Sequence, residues 1–204
     1  MTYSDGHYEI GLPWRPDKER LPSNLVMVER RAMALRRRLN KDSVLRRKYI
    51  ETISGHISKG YISKVPPGED TYLNRWFLPH HPVLNPNKPE KVRVVFDRAA
   101  SYNGISLNQA LLQGPDMTSS LVGVLLRFRR YSVAVCVDIE EMFLQVRVPV
   151  ADRKALSLLW WTNEDLSGQP EVFEMGVHPF GATSSPFCAN FALRQTAADN
   201  HVKY

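Results

Sequence analysis

Apolar and polar residues alternate most clearly in residues 132–148, whose sequence is SVAVCVDIEEMFLQVRV. Valine occupies every second position of the first half, and Arg147 separates two further valines at the end. A period of two with β-branched residues is typical of half-buried strands. The pattern therefore predicts a strand at each end of this stretch, the first over residues 132–137.

Three carboxylates, Asp138, Glu140 and Glu141, lie between these two strands. An acid directly after a buried strand has a rigid support, and its charge must be paired, neutralised or bound to a cation to offset lost hydration. Asp138 is therefore a candidate metal ligand. The alternative interpretation is an acid that caps the turn or helix after the strand.

The first third of the chain has helical periodicity. A first helix is predicted from an N-cap at Ser23 or Asn24, and a second from Asp42 or Ser43 to Gly60. The apolar faces that predict them are Val28, Ala32, Leu35 and Leu39, then Leu45, Tyr49, Ile53 and Ile57.

The rest of the chain predicts strands and two further helices. Residues 1–24 are interrupted by prolines and predict an extended lead-in, and residues 101–115 predict a loop. The predicted strands are a short one after Gly60, then residues 91–97, 156–161 and 171–175, with a polar turn at 163–169. Helices are predicted from Asp116 or Thr118 and from about Pro186 onward. This order predicts a mixed α+β fold.

The charge of the chain is unevenly distributed. Its 204 residues carry a net charge of +6, and nine basic residues accompany one acid between residues 30 and 48. The arginines of this basic segment are Arg30, Arg31, Arg36, Arg37, Arg38, Arg46 and Arg47. One interpretation is a solvated helix surface, and the other is a track for nucleic-acid phosphates.

The cysteines and histidines provide few candidates for a disulfide or a metal site. Cys136 and Cys188 lack CxxC spacing, which makes a disulfide or zinc site improbable and favours a reducing compartment. His80 and His81 are adjacent and are interpreted as polar loop residues. With no apolar run near the ~18 residues of a membrane span and no signal-peptide core, we expect an intracellular protein without membrane contact.

Seven sequence blocks carry a resemblance to a known family. They are GHYEIGLPW, LPHHPV, KVRVVFD, GISLN, LLRFR, VDIEEMFLQV and PFGATSSPF, and they run from about His7 to the end of the chain. In content, order and spacing they resemble the reverse transcriptase of Bel-Pao class LTR retrotransposons, part of a transposable-element polyprotein.

The resemblance implies a right-hand polymerase fold of the α+β class, with fingers and the first part of a palm. Residues 1–22 would be a lead-in, residues 23–131 the fingers and palm entry, and residues 132–204 the partial palm. Such polymerases carry an Asp-Asp pair on a later palm hairpin, and no Asp-Asp occurs in this sequence. The palm is thus expected to be truncated before that hairpin, with an exposed apolar edge at the Asp138 strand and poor solubility.

The implied activity is RNA-directed DNA polymerisation, in which two metal ions support nucleotidyl transfer to a primer 3′-hydroxyl. The implied cofactor is Mg²⁺, with Mn²⁺ as the alternative. The partners would be an RNA or DNA template with its primer, deoxynucleoside triphosphates and the remainder of the polyprotein, in the cytoplasm, in virus-like particles or in the nucleus.

The missing Asp-Asp pair limits this expectation, because this chain alone would then be inactive. Two alternatives remain. One is a non-catalytic nucleic-acid-binding remnant that uses the basic helices of residues 30–48. The other is an element fragment with no selected role.

The resemblance also assigns roles to single residues. Asp138 matches the catalytic, metal-binding aspartate, and the main-chain carbonyl of Ile139 would complete the coordination shell. Arg93 would contact the base and phosphates of the incoming nucleotide. Phe143 would lie against its sugar and exclude a 2′-hydroxyl.

A second group of roles falls near the C-terminus. Phe180 and Gly181 match the turn under the nascent base pair, where a missing Cβ lets backbone approach the nucleotide. Ser185 and Pro186 would begin a helix that faces the template.

One feature of the sequence departs from the family pattern, and one role that the family implies has two candidate residues. Glu140 and Glu141 replace the glycine and aspartate that retroviral enzymes often carry, which puts a triphosphate contact there in doubt. A companion lysine for Arg93 would be Lys88 or Lys91, and the sequence leaves that choice open.

Overall fold

The structure is a computed structural model that describes residues 1–17, 21–68, 71–85, 87–162 and 165–201. The α-helices of these ranges are α1 (Leu25–Lys41), α2 (Ser43–Ser58), α3 (Leu107–Ala110), α4 (Leu121–Phe128), α5 (Val150–Arg153) and α6 (Ser185–Asp199). The strands are β1 (Thr2–Ser4), β2 (His7–Glu9), β3 (Ile62–Lys64), β4 (His80–Asn85), β5 (Lys88–Phe96), β6 (Ser157–Trp160) and β7 (Glu171–Met175). They form small antiparallel sheets in the orders β1–β2, β3–β7–β6 and β4–β5, packed against helices. The predicted α+β class is confirmed.

Helices α1 and α2 form where the apolar spacing predicts them. All four predicted core residues of α1 are buried, and so are three of the four in α2. The exception is Ile57, which is 36% exposed. The Asp42 carboxylate caps α2 by accepting from the Leu45 amide at 2.9 Å, and Gly60 follows the helix with φ +73°, a conformation that suits glycine.

Asn24 precedes α1, but its side chain does not cap the helix. Its Nδ2 donates to the Phe77 carbonyl at 2.8 Å, and its Oδ1 accepts from the Phe77 amide at 2.8 Å. Because Asn24 is fully buried, these bonds satisfy polar groups that water cannot reach. They fasten the start of α1 to the segment that leads into β4.

The centre of the core is aromatic. Trp76, Phe77, Trp160 and Trp161 are each at most 2% exposed. The ring of Tyr49 from α2 lies 5.7 Å from that of Trp160 on β6, centroid to centroid. Side chains of this size bury the most apolar surface per residue, so α2 and the β3–β7–β6 sheet are held together chiefly by this cluster.

His80 is not the polar loop residue that the sequence predicted. It lies in β4, is buried, and contacts the Leu159 carbonyl through Nε2 at 2.9 Å. Since that carbonyl can only accept, Nε2 carries the proton and Nδ1 accepts from the Tyr49 hydroxyl. Burial lowers the pKa of His80 to about 4, so the ring is neutral at pH 7. Tyr49 and Leu159, which lie far from His80 in sequence, provide these contacts. The proline-rich sequence around His80 therefore predicted a loop where the structure has a buried strand residue.

The N-terminal lead-in is more regular than predicted, because residues 2–9 form the β1–β2 hairpin. Beyond it, the Leu12 amide and the Trp14 Nε1 each donate to the Asp152 carboxylate at 2.8 Å. Leu12 is buried in the core. The Asp152 carboxylate on α5 is therefore one of the anchors of the lead-in.

The strand predicted over residues 132–137 is not formed in the structure. These residues have no regular secondary structure, and Val133, Val135 and Val137 are 74%, 78% and 84% exposed. A strand exists only when its backbone groups have partners, and none of the described strands pairs with this segment. The second predicted strand, around Arg147, is reduced to single bridges with Glu9 and Val177.

Two smaller predictions also need correction. Residues 101–115, expected to be loop, contain α3, which is closed by reciprocal hydrogen bonds between Ser106 and Gln109. Helix α4 begins at Leu121 instead of Asp116 or Thr118, because the Asp116 carboxylate accepts from the amide and hydroxyl of Thr118 and forms a local turn. In the described part of the chain, no helix is long and apolar enough to cross a membrane.

Candidate functional site

The segment that carries Asp138 ends in a tight turn. Asp138 itself is exposed, and Ile139 is 39% exposed. Glu141 then adopts φ +52°, and a single 3-10 turn, Met142–Gln145, follows. A left-handed conformation is costly for a residue other than glycine, so contacts elsewhere must hold this turn in place.

Those contacts come from the end of α2 and the start of β3. Lys59 Nζ donates to both Glu141 carboxylate oxygens at 2.8 Å, and the Tyr61 hydroxyl donates to one of them at 2.9 Å. The hydrogen bond from Lys59 is the main cause of a lowered pKa at Glu141. Glu141 thus positions the turn, and its carboxylate is engaged within the protein.

Phe143, on the 3-10 turn, contacts Phe180 from a distant part of the chain. The ring centroids are 5.3 Å apart with an interplanar angle of 73°, the edge-to-face geometry that aromatic pairs prefer. Phe180 is 64% exposed, so much of its ring faces solvent. The structure therefore brings together two residues to which the family resemblance gives a role in nucleotide binding.

Gly181 follows Phe180 with φ +101°, which disfavours any side chain. A Cβ at Gly181 would lie 4.0 Å from the Phe96 carbonyl, so backbone conformation and not space demands glycine here. The Asn108 side chain makes two hydrogen bonds to the turn. Its Nδ2 donates to the Gly181 carbonyl at 3.4 Å, and its Oδ1 accepts from the Thr183 amide at 3.3 Å. These hydrogen bonds join α3 to the Gly181 turn.

A buried cation, missed at the sequence level, lies near this turn. Arg98 is 1% exposed, and its three guanidinium nitrogens have no hydrogen-bond partner among the described residues. Burial lowers its pKa to about 9. The signal was present in the alternation of β5, since Val92, Val94 and Phe96 have the same parity as Arg98 and point inward.

His178 is a second buried group near Arg98. Its Nε2 donates to the Ile10 carbonyl at 2.8 Å, which ties the lead-in to the segment before Phe180. Burial, with a smaller contribution from the charge of Arg98, lowers the pKa of His178 to about 4. The ring is therefore neutral at pH 7.

Arg93 lies on the outer face of the β4–β5 hairpin, opposite Val83, and is exposed. Among the described contacts, none joins it to Phe143 or Phe180. Lys91 is exposed on the same strand, whereas the side chain of Lys88 and the whole of Pro86 lie outside the described residues, as do residues 163 and 164 of the predicted polar turn.

The start of α6 corrects one predicted contact. Ser185 is buried, and its hydroxyl donates to the Pro179 carbonyl at 2.9 Å, so it does not face a template. Pro186 is exposed beside it. The serine instead closes the turn that carries Phe180 and Gly181.

The basic segment of residues 30–48 presents most of its arginines to solvent. Arg36 and Arg46 are half-buried, while Arg30, Arg31, Arg37, Arg38 and Arg47 are exposed. Arg31 pairs with Asp97 at 3.1 Å and Arg47 lies 3.8 Å from Glu51. Arg30 and Arg37 line a groove of about 740 Å³ between α1 and residues near β6.

The described residues do not fit the two-metal centre that the resemblance implies. Within the described ranges, no group of three or more His, Cys, Asp or Glu side chains is placed to hold a metal ion. Of the acids near Asp138, Glu140 is exposed and Glu141 is engaged by Lys59 and Tyr61. We derive no chemical step through a metal from this arrangement.

Comparison with models of known protein families and with curated proteins finds no match to this chain. Its function must therefore be proposed from the sequence motifs and from the geometry described above.

Proposed function

We propose that the chain is the fingers and the first part of the palm of a Bel-Pao-like reverse transcriptase, with a right-hand polymerase fold. In this role it binds a primer–template and an incoming deoxynucleoside triphosphate. The α+β architecture and the order of helices, hairpin, Asp138 segment and Gly181 turn support this proposal. Reverse transcription itself belongs to a longer polypeptide that supplies the remaining acidic residues.

The observation that carries the proposal is the contact between Phe143 and Phe180. Phe143 and Phe180 are 37 positions apart in sequence, and the resemblance assigns them to the sugar and to the base pair; they meet edge to face beside the Gly181 turn. A partly exposed ring supplies a flat apolar surface for a sugar or base. A ring against C2′ leaves no room for a hydroxyl, which favours deoxynucleotides.

The experiment that tests this role measures how nucleotides stabilise a primer–template complex. Fluorescence anisotropy of a labelled primer–template is followed with the intact chain while dTTP or UTP is added in buffer containing MgCl₂. We expect dTTP to strengthen binding more than UTP and Phe143→Ala to remove the difference. Phe191→Ala is the matched control, because its ring belongs to a separate pair with Phe187 on α6. Equal effects of dTTP and UTP on the unaltered chain would refute the role of Phe143.

A second candidate function is nucleic-acid binding by the basic segment without any nucleotide site. The exposure of five of its arginines favours this candidate. It predicts binding that weakens steeply with salt and survives both Asp138→Ala and Phe143→Ala. Arg37→Glu with Arg38→Glu should abolish it, whereas Arg129→Glu with Arg130→Glu, an equal charge change on an exposed segment elsewhere, should leave most of it intact.

A further inference from the structure

A basic pocket lies where distant segments of the chain meet, between β2, the end of α2, the 3-10 turn, α5 and the residues after β7. Its volume is about 210 Å³. Of the ten described residues that line it, none is acidic and four are basic: His7, Lys59, Arg147 and Arg153. A concave surface lined by charge of one sign attracts ions of the opposite sign, so this pocket is a candidate anion site.

Arg153 is the cation of this pocket that no described acid neutralises. Its Nε donates to the Val148 carbonyl at 2.9 Å, and it belongs to none of the described ion pairs. The neighbouring acid, Asp152, is engaged by the Leu12 amide and Trp14 Nε1. Because a guanidinium has five N–H donors, most of the donors of Arg153 are available to a ligand.

Lys59 and Arg147 also have donors for a ligand. The Lys59 ammonium has three donors, and it makes only two hydrogen bonds to Glu141, both at 2.8 Å. Arg147 pairs with Asp5 at 3.0 Å, but the Asp5 side chain is 80% exposed, so the pair is weak. Two acids therefore offset three permanent positive charges, and the pocket keeps a net positive charge.

The size and the donors of the pocket indicate the class of anion. Pockets for drug-sized ligands measure roughly 300 to 1,000 Å³, so this pocket is too small for a whole nucleotide. Arginine binds phosphate through two parallel hydrogen bonds, and lysine binds it as a point charge. The Ser63 hydroxyl, which also lines the pocket, provides a further donor.

We propose that this basic pocket binds one phosphate group, held by Lys59, Arg147 and Arg153. The group is inorganic phosphate or the phosphate of a small monoester. The site goes beyond the proposed polymerase role, because neither Phe143 nor Phe180 lines it. A failure of either proposal therefore leaves the other standing.

NMR of the intact, ¹⁵N-labelled chain tests this site. Sodium phosphate is titrated at an ionic strength held constant with sodium chloride, without nucleotide or metal ions. We expect saturating shifts of the amides of Gly60 and Gly176, which line the pocket. Glycerol 3-phosphate, titrated in the same way, distinguishes the two sources: comparable affinity indicates a monoester, and binding of free phosphate alone indicates the inorganic ion.

Three arginine variants locate the bound phosphate. Arg153→Gln and Arg147→Gln should each weaken binding about tenfold or more, because each removes charge-assisted hydrogen bonds. Arg147→Gln tests the proposal even if Arg153→Gln fails to fold, since Arg147 pairs only with the exposed Asp5 through its side chain. The matched control is Arg31→Gln, which removes an arginine that pairs with Asp97 at 3.1 Å outside the pocket and should leave the affinity unchanged.

Three results would overturn the proposal. The first is amide shifts that do not saturate, and the second is an affinity that Arg147→Gln leaves unchanged. The third is an equal loss of affinity in Arg31→Gln, which would mean that phosphate responds only to the overall charge of the chain.

Discussion

Strand β7 and residues 132–138 both have apolar sequences that predict a strand, but only β7 forms one. In β7, Val172 and Phe173 are 2% and 4% exposed, because β3 and β6 pair with both of its edges. Val135 is 78% exposed, and no described strand pairs with it. An apolar sequence of this kind allows a segment to form a strand, but the strand forms only where a neighbouring strand can hydrogen-bond to its backbone.

The largest expected effect is on the free energy of unfolding and concerns the buried region around Trp160. Trp160→Ala should destabilise the protein by about 3 to 5 kcal/mol, since it removes a fully buried ring and leaves a cavity among Tyr49, His80 and Trp161. Val137→Ala, on the exposed segment, should change stability by less than about 0.5 kcal/mol. Urea unfolding of both variants measures the contrast, and similar losses would mean that the exposed segment is packed in solution.

The next effect is a dependence of protein stability on pH that arises from two buried histidines. His80 and His178 have pKa values lowered by burial to about 4, against about 6.5 when unfolded. Between those values the unfolded chain binds more protons, so the contribution of these two histidines to stability falls as pH drops from about 6.5 to 4 and levels off below 4. Each histidine contributes at most about 3 kcal/mol to this loss.

Urea unfolding across this pH range measures the effect. We expect a shallower slope in His80→Gln, which can keep polar contacts but does not titrate in this range. The control is His201→Gln, which replaces an exposed histidine that has no described contact with either buried ring. A flat profile for the unaltered protein would contradict the neutral, buried state of both rings.

A smaller effect is expected where the lead-in joins the buried region. Asp152→Ala removes the acceptor for the Leu12 amide and Trp14 Nε1, both at 2.8 Å. We expect a loss of about 2 kcal/mol together with faster proteolysis near the N-terminus. Limited proteolysis with mass spectrometry locates the cuts, and Glu29→Gln on the exposed side of α1 is the control. Unchanged cleavage would show that other contacts suffice to hold the lead-in.

The smallest effect concerns the turn beside Asp138. Glu141→Gln breaks an ion pair that is partly exposed to solvent, so its cost should be well below that of Asp152→Ala and should vanish in high salt. Unfolding at low and high salt measures this difference. A cost that persists in high salt would mean that the neutral hydrogen bond from Tyr61 dominates.

Local sequence patterns were sufficient to predict the elements whose formation depends mainly on their own residues. The spacing of apolar residues predicted α1 and α2, and the sequence predicted β7 at the bounds that the structure has, Glu171–Met175. It also predicted a strand over residues 91–97, where the structure has β5, Lys88–Phe96. The same alternation, continued by one step, would have placed Arg98 inside.

Predictions failed where a distant partner decides the outcome. His80 is a core residue because Tyr49 and Leu159 satisfy its ring nitrogens. Residues 132–137 are not a strand because no described strand offers its backbone. At the candidate site, neither the contact between Phe143 and Phe180 nor the hydrogen bonds from Lys59 and Tyr61 to Glu141 had a local signal in the sequence.

The most direct test of the proposed nucleotide site is NMR of the intact chain with labelled phenylalanine rings. Resonances of Phe143 and Phe180 are followed during titration with dTTP, and then with UTP, in the presence of primer–template and MgCl₂. We predict shifts of both rings with dTTP at lower concentrations than with UTP, while Phe187 and Phe191 stay unchanged. Unperturbed Phe143 and Phe180 resonances, or identical titrations with both nucleotides, would contradict the proposal.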